Sequence, residues 1–313
     1  MTALLFGILT IAFVGPVPKA LSRAEWPLYA PRAAMALWQA VALAAVLSAF
    51  STGLAIAANL LAPGVDGAPT TNPFAEVDRL GWPLWTVYVV VFALTLLVGA
   101  RLIFTVVRVG IRTRARRNAH RTLIDLVDRV DMHRQSGRDI RVLDVPAPLA
   151  YCLPGLRSRR IVLSEGVLAR LTDDELSAVI EHERAHLRAR HDLVLEAFIA
   201  LHEAFPRFVR SRSALGAVEL LAEVLADDQA ARATAPTTVG RALVACADAT
   251  APRGAMAVGG PTTLVRVRRL CDVRPVPTIS VTAYLLAAAI LVVPTLAVAI
   301  PWLTELHRLV AHL

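Results

Sequence analysis

The sequence predicts a mainly α-helical membrane protein with four transmembrane helices and one α+β domain inserted between the third and the fourth. Three observations lead there. Hydrophobic residues fill 56% of the 313 positions and mean hydropathy is +0.56, too apolar for an ordinary water-soluble domain. Four stretches carry no charged side chain: residues 1–18, 33–65, 80–100 and 275–304. Between the last two lies the only stretch polar enough to surround a water-soluble core, residues 109–274, a length that suits a single domain.

The membrane helices come first in the chain. A spanning helix needs about 20 apolar residues, which places spans near 3–18, 33–62 and 82–107 in a membrane region 1–108, and a fourth near 279–303 in a closing segment 275–313. The first span is the shortest and ends at Gly15-Pro16-Val17-Pro18. It lacks the basic segment that precedes the apolar core of a cleaved signal peptide, so it reads as a membrane helix. A proline-punctuated loop is expected over 16–31, and a short polar loop over 63–79.

The basic residues set the orientation. Lys19, Arg23 and Arg32 lie between the first two spans, whereas Asp66, Glu76 and Asp78 outnumber Arg79 between the second and third. Arg108, Arg112, Arg114, Arg116, Arg117 and Arg121 follow the third span, and Arg266, Arg268, Arg269 and Arg274 precede the fourth. The positive-inside rule then puts the domain in the cytoplasm of a multi-pass cell-membrane protein, with both termini external. Arg101 is expected to snorkel to the interface. The net charge of +8 is assigned to these flanks, with the lipid bilayer as partner. No nucleic-acid-binding signature accompanies it, so direct nucleic acid binding is not expected. Arg268-Arg269 reads as part of a flank, with a self-cleavage site as the alternative. The three cysteines, Cys152, Cys246 and Cys271, show no paired C-x-x-C spacing and read as buried structural thiols.

Inside the domain, an amphipathic helix is expected over 112–133, then short strands over 140–145, 149–153 and 160–164, with a turn at Pro154-Gly155. An edge of that sheet offers a place for an extended peptide to add as a strand. Thr172-Asp173-Asp174-Glu175 has the form of a capping box and opens a helix expected to run from 173 to 204. A basic, serine-rich connection follows, then a second helix with Leu215, Val218, Leu221, Ala222 and Leu225 on one face. Residues 250–262 read as a loop.

The chemistry-bearing stretch is His182-Glu183-Arg184-Ala185-His186. On a helix, positions i and i+4 share a face, so His182 and His186 can aim at one ion while Glu183 stands beside them as general base. This is the helical half of a zinc peptidase site, and Zn2+ is the expected cofactor. The motif alone is moderately specific. Catalytic zinc takes three protein ligands, and the longer pattern with a third histidine fails, because position 192 is Asp192. His191 stands five residues beyond His186, off the ligand face. The third ligand is therefore sought on the second helix. Glu223 and Asp227 form an i, i+4 pair there, Glu223 suited to the ion and Asp227 to the outward N–H of a ligating histidine; Glu219 is the alternative ligand. Arg188, His191, His202 and Arg241 are available as further oxyanion donors.

The run Tyr151-Cys152-Leu153-Pro154-Gly155, Ile161-Val162-Leu163-Ser164-Glu165-Gly166, Asp174-Glu175-Leu176 and His182 to Asp192 resembles the BlaR/MecR-type membrane metallopeptidases. Glu223-x-x-Ala226-Asp227 is shared with that family and with its HtpX/Ste24-type relatives. The resemblance implies a gluzincin-type domain with His182, His186 and Glu223 as ligands and Glu183 as base. It also implies a protein substrate of the BlaI/MecI-type winged-helix repressor class. The β-lactam-sensing members carry a penicillin-binding domain after the last span, whereas this sequence stops at Leu313, so direct β-lactam sensing is not expected. Two other readings stand beside this one: an HtpX-like quality-control protease, and a non-catalytic signalling scaffold. Oligomeric state has no sequence signal.

Overall fold

The computed structural model describes residues 2–57, 77–127, 139–155, 159–205, 212–247, 256–257, 262–272 and 276–311. The chain opens with α1 (Thr2–Val14), α2 (Pro16–Arg23), α3 (Trp26–Tyr29) and α4 (Pro31–Ala57). The expected proline-rich loop is thus largely helical. Proline falls in the first turn of both α2 and α3, where its missing N–H costs no intrahelical bond. After α5 (Val77–Leu80) comes α6 (Trp82–Val127). Most of the expected loop 63–79 and the end of the second expected span lie outside the described residues.

α6 joins the third span and the amphipathic helix expected after it into one element of 46 residues, about 69 Å long at 1.5 Å per residue. That is more than twice the thickness of a bilayer core, about 30 Å. The remainder of the expected amphipathic helix, 128–133, is outside the described residues. Among the described residues, four stretches have the length and composition to cross a bilayer: Ala3–Arg23, Pro31–Ala57, Trp82–Ile124 and Pro277–Leu296. The outward residues of the third include Leu97, Ile103 and Phe104, all largely exposed, as a lipid-facing surface requires. α4 and α6 approach closely at Gly53, where a Cβ would stand 2.0 Å from Thr95 Oγ1.

Next come β1 (Ile140–Leu143), β2 (Ala150–Leu153) and β3 (Arg160–Ser164), at the three expected places. They are followed by α7 (Glu165–Arg170), α8 (Asp173–Ala189), α9 (His191–Ala204), α10 (Arg212–Ala233) and α11 (Pro236–Ala245). The chain then gives β4 (Met256–Ala257), α12 (Thr263–Cys271) and α13 (Pro277–Ala311). The sheet order is β1-β3-β2-β4, with β1 parallel to β3 and the other pairs antiparallel. β4 falls in a stretch expected to be loop; the rest of that loop is mostly outside the described residues. It pairs Ala257 with Tyr151 and Met256 with Cys152, so it covers the outer side of β2 and makes the sheet edge that packs beside α8.

Two cores result. One lies between the sheet and α8, α11 and α12, with Val142, Ile161, Leu163, Val179, Leu243 and Leu270. The other joins the apolar N-terminal helices to the domain, with Phe13, Trp38 and Val41 against Phe198, Val218 and Leu221. Polar clamps reinforce that junction. Arg101 Nε donates to Ala204 O at 2.6 Å, capping the end of α9. Arg117 stands 3.2 Å from Asp192 and 2.6 Å from Glu196, both on α9. His120 Nε2 lies 2.9 Å from the Tyr151 hydroxyl on β2.

The single helix expected over 173–204 is broken in two. Arg190 adopts a left-handed conformation, φ 54°, ψ 41°, and its N–H closes α8 on His186 O while α9 starts at the next residue. A non-glycine residue there costs about 1–2 kcal/mol. The break is offset by what it buries: Asp192 reaches Arg117, and His191 reaches the site described next.

Candidate metal centre

α8 is built to hold its motif rigidly. Thr172 accepts from Glu175 N at 3.4 Å while Glu175 accepts from Thr172 N at 3.0 Å, completing the capping box. Ala178, Val179, Ala185 and Leu187 anchor the helix in the core and carry His182, Glu183 and His186 inward with them. All three polar side chains are buried, Glu183 completely. α10 packs along α8, its Val218, Leu221, Val224, Ala226 and Ala230 buried, and Glu223 and Asp227 meet the two histidines.

His182 Nε2 and His186 Nε2 are 3.2 Å apart. Glu223 places Oε2 3.4 Å from His182 Nε2 and Oε1 3.4 Å from His186 Nε2. Donors bound to one tetrahedral zinc at about 2.0–2.2 Å lie roughly 3.3–3.6 Å from one another. The three donors thus have the spacing of a zinc site before any ion is considered, and they form a group of metal-ligand type. The donor chemistry agrees. Asp227 Oδ1 stands 3.0 Å from His182 Nδ1, a contact that favours a proton on that nitrogen and leaves Nε2 as the ring atom turned toward Glu223 and His186. Acceptors converging on one point require a cation. Burial alone would lower the pKa of His182, but the contacts with Asp227 and Glu223 outweigh it and raise it to about 9. The pocket therefore draws in positive charge.

Glu183 is the exception among these groups. Neither of its oxygens has a hydrogen-bond partner among the described residues, and the Cys152 thiol on β2 is near enough to interact with it. Burial pushes its pKa up to about 7. A carboxyl of that kind exchanges protons near neutral pH and suits a general base.

The structure settles the positions of the remaining candidates. Glu223, not Glu219, joins the histidines; Glu219 is exposed one turn earlier on α10. Arg188 pairs with Glu181, Arg241 pairs with Glu175, and His202 lines an apolar cavity at the far end of α9 beside Phe13, Trp38 and Phe198. His191 stays out of the donor group, as its position off the ligand face predicts, and the break at Arg190 sets its Nδ1 3.0 Å from His186 Nδ1, the ring nitrogen that does not face the other donors. Cys152 and Cys246 are buried as expected, whereas Cys271 is exposed. Arg268 and Arg269 lie within α12, and Arg269 is tied to Asp228 and to Leu28 O.

One residue was missed by sequence reasoning. Arg266 was expected on a membrane flank, yet its side chain is almost wholly buried beside Glu223 and Asp227. The only local signal was the i, i+3 pair Val267 and Leu270, which gives α12 an inward face without showing where Arg266 points.

No curated protein and no solved structure matches the chain. Residues 113–257 match the family model of Peptidase family M48; the matched stretch carries His182, Glu183, His186 and Glu223 and is accompanied by apolar helices.

Proposed function

We propose that this protein is a membrane-embedded zinc endopeptidase that works in signal-regulated proteolysis. The observation that carries the reading is the convergence of His182, His186 and Glu223 beside an unpaired, fully buried Glu183 in a peptidase family domain. Zinc held by that donor set supplies Lewis acidity, lowering the pKa of water and polarising a carbonyl. The chain's own residues do the rest. Glu183 accepts the proton of the attacking water and returns it to the leaving amine nitrogen. Asp227 orients His182, and His191 steadies His186 through their Nδ1 atoms. The edge strand β4, packed beside α8, is where an extended peptide would add.

The arginine-rich stretch 108–121 supports a cytoplasmic active site. Arg266, turned into the site, no longer counts toward the flank before α13. The BlaR/MecR-type resemblance supports a winged-helix repressor as substrate. Because the family match does not single out that type, a broad quality-control peptidase of the HtpX type is the second reading. Cleavage of one repressor, against cleavage of many misfolded membrane proteins, separates the two.

Glu183→Gln tests the mechanism. The variant should fold and keep its metal while peptide hydrolysis falls by at least about 100-fold. Unchanged hydrolysis would contradict the assignment of the base.

A further inference from the structure

Arg266 lies outside the segment matched by the peptidase family and is the only arginine or lysine buried against the site's carboxylates among the described residues. Nε donates to Asp227 Oδ2 at 2.7 Å and NH2 donates to Asp227 Oδ1 at 2.6 Å, a two-pronged fork. The third nitrogen, NH1, stands 2.9 Å from Glu223 Oε2. One planar guanidinium therefore stands against two acidic residues of α10, Glu223 and Asp227, at once. A lysine offers a point charge and cannot reproduce that geometry.

The two contacts do different things. Asp227 is the residue that faces His182 Nδ1, so fixing both of its oxygens fixes the ring of His182. Glu223 offers two oxygens to the site, and one of them is already engaged by NH1, which leaves Oε1 toward His186. The charge pattern agrees. The buried Asp227 and the partly buried Glu223 repel side by side, and a single buried cation between them relieves this without supplying a competing ligand, since a guanidinium has only donors.

We propose that Arg266 is a positioning residue of the metal centre: it restricts Glu223 to one-oxygen ligation through Oε1 and locks Asp227 on His182. The inference rests on the reading of His182, His186 and Glu223 as ligands. It also gives α12 a role. Arg269, one turn further along α12, is tied to Asp228 on α10 and to Leu28 O of α3, so the helix that reaches the metal centre also touches the N-terminal apolar region.

The test uses the full chain in detergent with Co2+ as a spectroscopic probe and Zn2+ in chelator competition, on wild type, Arg266→Lys and Arg266→Gln. Wild type should give the intense visible bands of four-coordinate cobalt. Arg266→Gln should bind Zn2+ about 10–100-fold more weakly, the range seen when a group supporting a ligand is removed. Arg266→Lys should lie between, with a cobalt spectrum shifted toward higher coordination as Glu223 Oε2 is released. Equal Zn2+ affinity and an unchanged cobalt spectrum in folded variants would overturn the proposal. If neither variant folds, the wild-type spectrum decides: five-coordinate cobalt overturns it and four-coordinate cobalt supports it. Wild type that binds neither metal would instead refute the ligand reading on which the proposal rests.

Discussion

Asp227 Oδ1 lies 3.0 Å from Nδ1 of His182, one helix reaching across to set the proton of a residue on another. Burial opposes the charged form of Asp227, but the bonds from Arg266 and His182 outweigh it and hold its carboxyl down to about 2. Asp227 is therefore a carboxylate throughout the working pH range. Asp227→Asn should leave the three donors in place yet weaken Zn2+ binding about 10–100-fold, measured by chelator competition. Unchanged affinity would show that the contact does not orient the ligand.

Gly166 makes a second, structural prediction. A Cβ there would stand 2.1 Å from Pro146 O and 2.6 Å from the Pro146 carbonyl carbon. The neighbour is backbone and is itself held, because Gly166 N donates to Val145 O and Ser164 Oγ donates to Ala147 O. Gly166→Ala should destabilise the domain by about 1–3 kcal/mol or more. Thermal unfolding checks this, and an unchanged Tm would contradict the packing.

A third prediction concerns acid stability at the start of α8. The backbone N–H of Thr172 holds the Glu175 carboxyl below its usual range; burial opposes this, and Arg241 adds to the lowering. A carboxyl depressed in the folded state stabilises fully above its unfolded pKa, about 4.3. That contribution is lost as pH falls through the lower folded value. Glu175→Gln should therefore lower Tm at neutral pH, and the gap to wild type should close as pH falls below about 4. A gap that stays constant with pH would show that the charge plays no part.

The sequence made the local features legible and left the long-range ones hidden. The capping box at Thr172, the i, i+4 faces of His182 with His186 and of Glu223 with Asp227, and the three strands before α8 all follow from spacing and residue type. The break at Arg190 does not, because nothing in Ala189-Arg190-His191 favours a left-handed residue. It is sustained by Arg117 on α6, far away in sequence, and by His186 on the preceding turn of α8. Arg266 was hidden for the same reason. An arginine close before an apolar helix has the pattern of a membrane flank, and only the packing of α12 against α10 turns it inward. β4 is two residues long, too short to carry a period.

The central claim is that α8 and α10 together form one zinc site. Elemental analysis of the detergent-purified chain, beside His186→Ala and Glu223→Ala, tests it most directly. About one zinc per wild-type chain, lost from both variants, is the predicted result. A wild type that takes up no zinc on reconstitution, or a Glu223→Ala variant that holds zinc as wild type does, would contradict it.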